Sequence, residues 1–282
     1  MILIDGNKIA NEIKEEISLE VQQIKEKGGK IPYLVALIVG HDGASETYVG
    51  HKEKACTQVG FRSDVLRYKD TVTEEEILKK VDELNKNPEV DGFIVQLPLP
   101  KHIEEKNVLE SILPSKDVDG LTSVNLGRLF KNDPSSIPPA TAKGILELLK
   151  EYNIQILGSN AVVVGRSDIV GLPTAALLQN ENATVTICHS HTGNLKEICK
   201  RADILVVGIG RGKYVNSEYI SKGCTVIDVG TNRDIDGSLV GDVDFESVKD
   251  IVKYITPVPG GVGPMTISCL LKNLMDIYKR NI

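Results

Sequence analysis

Apolar positions recur along this chain in two rhythms. Ile9, Ile13, Ile17, Val21 and Ile24 fall at helical spacing and predict an amphipathic first helix, ended by Gly28-Gly29. Tyr33–Gly40 (YLVALIVG) is instead an unbroken apolar run, the pattern of a buried strand. A helix over Ser45–Gly60 follows, with Ser45 placed to cap its start. Then come a strand near Phe61–Tyr68, a helix from about Thr73 and a strand at Gly92–Leu97. The middle of the chain is turn-rich, at Pro98–His102 and Asn132–Gly144. From Thr141 a helix opens a second series. Strands are expected at Ala161–Gly165, Ala183–Cys188, Asp203–Gly208 and Cys224–Gly230, with helices after Leu172 and at Asn194–Ala202. Repeated β-α-β predicts an α/β fold with largely parallel sheets in two domains, divided near residue 140. The last helix, Met265–Lys279, follows PVPGGVGP and is free to return to either domain.

One position breaks the pattern. The helix over Ser45–Gly60 carries an apolar stripe of Tyr48, Val49, Cys56 and Val59, and Lys52 lies in its middle. A charged group is seldom buried without a partner, because desolvation disfavours the ion. Lys52 therefore either snorkels to water, as most such lysines do, or is held in a pocket for chemistry. Tyr48 shares its helix face.

Composition narrows the setting. The 282 residues are 41% hydrophobic and 26% charged, ordinary for a soluble globular protein. A net charge of −6 argues against a general nucleic-acid binder. The N-terminus turns charged at once, unlike a signal peptide, and no apolar run approaches the roughly 18 residues of a membrane span. Five scattered cysteines suit free thiols in a reducing cytoplasm. Cys188, His189 and His191 lack a partner motif at zinc spacing, so no metal is expected.

The second half reads as a dinucleotide site. GRSDIVG (Gly165–Gly171) follows a strand and opens a helix, so its glycines let backbone N–H groups approach a pyrophosphate. The spacing is not G-x-G-x-x-G, and a plain tight turn is the alternative. NAD-binding folds often place a carboxylate at the end of the next strand. Here that end reads Cys188-His189-Ser190-His191-Thr192, and Arg166 sits in the glycine turn. A cationic, hydroxyl-bearing site suits a 2′-phosphate, which points to NADP, with NAD possible. GIGRGK (Gly208–Lys213) lacks the form of a Walker loop and reads as a turn on the cofactor side. Thr231, in GTN, is placed near the nicotinamide end or is a simple cap.

The first half supplies substrate candidates. Gln96 ends a strand, where ligands of open α/β sheets bind. Asp119 lies in KDVDGL and, taken singly, is a turn residue. In PVPGGVGPMT (Pro257–Thr266), Gly260 and Gly261 can bring backbone close to a flat ligand, and Pro264 suits a first helical turn.

Together, IDGNKIA, YVGHKEKAC, QLPLPKH, KDVDGLTSVNLGRL, GRSDIVGLP, IDVGTN and PVPGGVGPMT resemble the bifunctional methylenetetrahydrofolate dehydrogenase/cyclohydrolases, across nearly the whole chain. The resemblance implies two α/β domains flanking a cleft. A folate-binding catalytic domain would comprise residues 1–140 plus 266–282, and a Rossmann-type NADP-binding domain residues 141–265. It implies that Lys52 is the catalytic lysine, that Gln96 works with it, and that Tyr48 stacks on or bonds the folate. Asp119 would hold the pterin ring, with Pro259, Gly260 and Gly261 also binding substrate. Gly165, Arg166, Ser167, Ser190 and Thr231 would bind the cofactor. The implied reaction oxidises 5,10-methylenetetrahydrofolate with NADP and hydrolyses the methenyl product to 10-formyltetrahydrofolate, in a cytoplasmic homodimer. Departures from the family pattern are Ala140 and Ala142 for Cys and Pro, Leu172 for a frequent lysine, Arg211 for a common proline and Thr231 for isoleucine. Arg211 and Thr231 border the cofactor and bear on cofactor choice. The rival readings are a shikimate-type dehydrogenase, a non-catalytic nucleotide-binding module and a monofunctional family member.

Overall fold

The computed structural model describes residues 1–40 and 43–281. In chain order its strands are β1 (Ile2–Leu3), β2 (Tyr33–Val39), β3 (Arg62–Tyr68), β4 (Gly92–Val95), β5 (Asn160–Val164), β6 (Thr184–Cys188), β7 (Ile204–Val207), β8 (Thr225–Asp228), β9 (Asn232–Arg233), β10 (Leu239–Val240) and β11 (Tyr254–Ile255). Its helices are α1 (Gly6–Glu26), α2 (Gly43–Val59), α3 (Glu74–Lys86), α4 (Glu105–Glu110), α5 (Ser123–Phe130), α6 (Ala140–Glu151), α7 (Gly171–Asn180), α8 (Leu195–Cys199), α9 (Phe245–Val248) and α10 (Val262–Asn281). The chain forms two units. One takes Met1–Ala10, Leu129–Asp133 and Thr141–Thr266; the other takes Asn11–Arg128, Pro134–Ala140 and Ile267–Ile282.

The second of these is built on a three-stranded parallel sheet, ordered β3-β2-β4. The apolar run of β2 makes it the central strand, buried at every residue. Thr73 caps α3 through a reciprocal pair with Glu76, a device worth about 1 kcal/mol. The apolar stripe of α1 (Ile13, Ile17, Val21) is buried, and Glu20 pairs with Lys279 of α10. The helix containing Lys52 starts earlier than the sequence suggests. Ser45 lies inside α2 instead of capping it, buried, with its hydroxyl donated to the Leu97 carbonyl at 3.3 Å.

The other unit holds a six-stranded sheet, ordered β1-β11-β8-β7-β5-β6 and parallel throughout. From β5 the chain steps to β6 on one side and to β7 on the other. That reversal is the switch point at which open α/β sheets bind ligands, beyond the carboxyl ends of the strands. An antiparallel pair, β9 and β10, is appended. The two-residue strands β1 and β11 went unread in the sequence, being too short to show a period. By pairing with β11, Ile2–Leu3 join this sheet, although the sequence reading grouped them with residues 11–140. No helix among the described residues is long and apolar enough to cross a membrane.

Candidate active site

In the three-stranded unit, α2 turns Val49, Lys52, Cys56 and Val59 onto its buried face. Only 7% of Lys52 is exposed, whereas Tyr48, on the rim of the same face, is 43% exposed. Lys52 is therefore held in a pocket and not extended along the surface. It donates to Gln96 Oε1 at 3.2 Å, and no carboxylate pairs with it among the described residues. Gln96 stands one residue beyond β4. Its N–H continues the ladder to the Leu37 carbonyl at 2.8 Å, and its side-chain amide donates to the Leu97 carbonyl at 2.9 Å. The amide is thus oriented with its oxygen toward the lysine. One turn beyond Lys52, Cys56 is buried, and burial pushes its thiol up to about 12. It is a neutral wall of the pocket.

Asp119 completes the group. Its segment runs beside β4, with Phe93 bridged to Asp117 and the Phe93 N–H donated to Lys116. Asp119 is half-buried and accepts no hydrogen bond among the described residues. Burial raises its pKa above the ordinary value, the Lys52 charge opposes that rise, and Asp117 adds to it. A carboxylate held beside a lysine without a donor of its own is open to a ligand N–H.

What fixes Asp119 is a neighbour that the sequence reading did not single out. The buried Asp117 carboxylate accepts from the N–H groups of Gly120 (2.9 Å), Leu121 (3.2 Å) and Thr122 (2.8 Å), and from Asn125 Nδ2 (3.0 Å). Asn273 of α10 donates to the Val118 carbonyl at 2.9 Å. Gly120 has φ +71°, and a Cβ there would meet the Ile137 carbonyl at 2.4 Å. The only signal in the sequence was an Asp two residues before the Asp-Gly turn.

In the six-stranded unit, the glycine turn leaves β5 at the switch point. A Cβ on Gly165 would lie 2.3 Å from the Gly208 carbonyl at the end of β7, and one on Gly171 would lie 2.3 Å from the Gly165 carbonyl. Both glycines are required for this close approach. Ser167 Oγ accepts from Val170 (3.2 Å) and Gly171 (3.5 Å), closing the start of α7. The N–H groups of Arg166, Ser167, Asp168 and Ile169 make no hydrogen bond among the described residues. Free donors ahead of a helix N-terminus suit a diphosphate. Val164 and Cys188 are paired across β5 and β6, so Arg166 and Ser190 stand two residues past paired positions, both exposed. The turn after β6 is tied by His189 N–H to Thr192 Oγ1 at 2.8 Å and offers no carboxylate. These residues fit a 2′-phosphorylated dinucleotide. Thr231 is exposed beyond β8.

Pro259, Gly260 and Gly261 belong to this six-stranded unit, not to that of Lys52. The Gly260 carbonyl accepts from Gly6 (2.9 Å) and Asn7 (3.2 Å), and a Cβ on Gly6 would fall 1.7 Å from the Gly261 carbonyl. The loop is therefore seated on the start of α1. No group of three or more His, Cys, Asp or Glu among the described residues could hold a metal.

A parallel sheet with a switch-point glycine turn, joined in one chain to a lysine–amide–carboxylate pocket, defines an α/β enzyme of the dinucleotide-dependent class. Residues 4–119 match the catalytic domain of the tetrahydrofolate dehydrogenase/cyclohydrolases, and residues 139–282 match their NAD(P)-binding domain. The chain belongs to this family. It is 52% identical over 279 residues to the bifunctional protein FolD of Bacillus cytotoxicus, covering 99% of this chain and 97% of that one. The FolD methylenetetrahydrofolate dehydrogenase/cyclohydrolase structure from Campylobacter jejuni superposes with a TM-score of 0.98 at 43% identity, covering all of both chains. The Trypanosoma brucei enzyme, complexed with NADP cofactor and an inhibitor, gives a TM-score of 0.94 at 41% identity, covering 99% and 98%.

Proposed function

We propose that Lys52, Gln96, Tyr48 and Asp119 carry the folate chemistry of this bifunctional enzyme. The enzyme oxidises 5,10-methylenetetrahydrofolate to the methenyl form with NADP and hydrolyses that product to 10-formyltetrahydrofolate. The supporting observation is the buried Lys52 ammonium, bonded to Gln96 Oε1 at 3.2 Å and facing an undonated Asp119. NADP, when bound, accepts the hydride. Gly165, Arg166, Ser167, Ser190 and Thr231 hold the cofactor. The free N–H groups of the 166–169 turn take its diphosphate, and Arg166 and Ser190 take its 2′-phosphate.

Asp119 anchors the pterin ring through ring N–H groups, and Tyr48, at the pocket rim, lies against the flat face of the ligand. Oxidation needs mainly alignment of the donor carbon. Hydrolysis needs proton transfer as water adds to the methenyl carbon and the ring C–N bond opens. Lys52 is the group placed to move that proton, and Gln96 fixes the direction of its Nζ. Pro259, Gly260 and Gly261 supply backbone to the folate. The folate-binding catalytic domain is residues 1–140 plus 266–282 and the NADP-binding domain residues 141–265, with the first strand lent to the second sheet. The active form is a cytoplasmic homodimer.

Lys52→Met tests the central role. Its hydrolysis of methenyltetrahydrofolate should fall by at least about 100-fold, the span of general acid–base catalysis. Its melting temperature should hold or rise, because a poorly partnered buried cation is replaced by an apolar group of similar length. Hydrolysis near the wild-type rate would sink the assignment.

A further inference from the structure

Two buried carboxylates that the chemistry above does not use lie behind the carboxyl ends of β7 and β8. Asp242 is fully buried and Asp228 is 4% exposed. Asp228 Oδ1 accepts from the N–H groups of Gly230 and Asp242, and its Oδ2 from Val243, each at 2.9 Å. Asp242 then reaches across to the turn after β7. Its Oδ2 accepts from Ile209 (2.6 Å) and Gly210 (3.0 Å), and its Oδ1 from Arg211 (2.7 Å) and from Asn232 Nδ2 (2.9 Å). No cation pairs with either carboxylate among the described residues; N–H groups alone satisfy them.

Neighbouring residues are cut away to make room. A Cβ on Gly241 would sit 1.8 Å from Asp228 Oδ2, and one on Gly230 would sit 2.4 Å from Asp242 Cγ. The held segments are Ile209–Arg211 and Asn232. They flank Gly208, whose carbonyl meets the Gly165 turn, and Thr231. These lie along the carboxyl edge of the sheet, where a dinucleotide binds.

We propose that Asp242, seated by Asp228, is a positioning residue for the cofactor: it sets the 209–211 turn and Asn232 at the edge that receives NADP. It touches no reacting atom. The inference rests on the NADP-binding reading of this edge. It has a further implication for the turn itself. The N–H groups of 209–211 are spent on Asp242, so the turn offers none to phosphate, and that task falls to residues 166–169.

The test is Asp242→Asn, read by calorimetric titration with NADP alongside hydrolysis of methenyltetrahydrofolate, which consumes no cofactor. The amide nitrogen cannot accept, so up to two N–H groups lose their partner. The Kd for NADP should rise about tenfold or more while hydrolysis stays within about twofold of wild type. An unchanged Kd in a variant that still hydrolyses would overturn the proposal. Where Asp242→Asn does not fold, Asn232→Ala decides, since it removes a single bond to the same carboxylate. Its Kd should rise about threefold with hydrolysis retained, and equal loss of both would overturn a positioning role. A wild-type chain that failed to bind NADP would overturn the cofactor reading itself, and this inference with it.

Discussion

Lys52 shows how much of a candidate site can be visible in spacing alone. Its place between Tyr48 and Cys56 marks it as a misfit, and the structure buries it on that face with one side-chain acceptor. Asp119 was far less legible, because its character depends on what is missing around it. Asp117 takes the backbone donors of the turn, and Asp119 is left without any. That arrangement has a pH signature. Burial raises the Asp119 pKa in the folded state, so above the ordinary value of 3.8 the folded chain retains a proton that the unfolded chain has lost. This group's contribution to stability therefore falls as pH rises through the interval between the two values. Asparagine at 119 has no such ionisation. Urea midpoints measured from pH 3.5 to 7 should show Asp119→Asn gaining on wild type as pH rises, while its folate affinity drops. A constant difference across that range would contradict the shift.

At the level of elements, strands and helices with a strong period were legible, and their ends were not. The expected helix start at Ser45 was displaced because the Ser45 hydroxyl is used on the Leu97 carbonyl, a partner 52 residues away. The strand expected to reach Leu97 stops at Val95, which leaves Gln96 just outside it with its side chain free to meet Lys52. The glycine turn after β5 was legible as a tight strand-to-helix turn despite its irregular spacing, since Gly165 and Gly171 are each demanded by a facing carbonyl. Under the proposed function the turn also carries the cofactor choice. Arg166 projects from it and the turn after β6 bears no acid, so Arg166→Gln should weaken NADP about tenfold and NAD by less than about threefold. Parallel titrations with the two dinucleotides measure this, and an equal loss for both would remove Arg166 from 2′-phosphate recognition.

For the whole molecule, the alternation of patterns was enough to give two α/β units, but not the path of the chain between them. Short strands carry no period, and their pairing is decided by distant backbone. β6 is an edge strand, pairing among the described residues with β5 alone, and Ile187 on it is 37% exposed. Unpaired edges are normally covered, which agrees with the proposed homodimer. Sedimentation equilibrium should return twice the 30.7 kDa chain mass, and a monomer at micromolar concentration would refute it.

The pairing of β1 with β11 also constrains how the molecule is made. Ile2 lies beside Tyr254, so Ile2 and Leu3 are translated long before the strand they pair with. At about 5–20 residues per second, that wait lasts roughly 10–50 s. The nucleotide-binding sheet then gains β1 through a contact of very long sequence separation, the kind that folds slowly. Through that interval Ile2 and Leu3, still about half exposed in the finished fold, are apolar residues awaiting a strand that has not yet been translated.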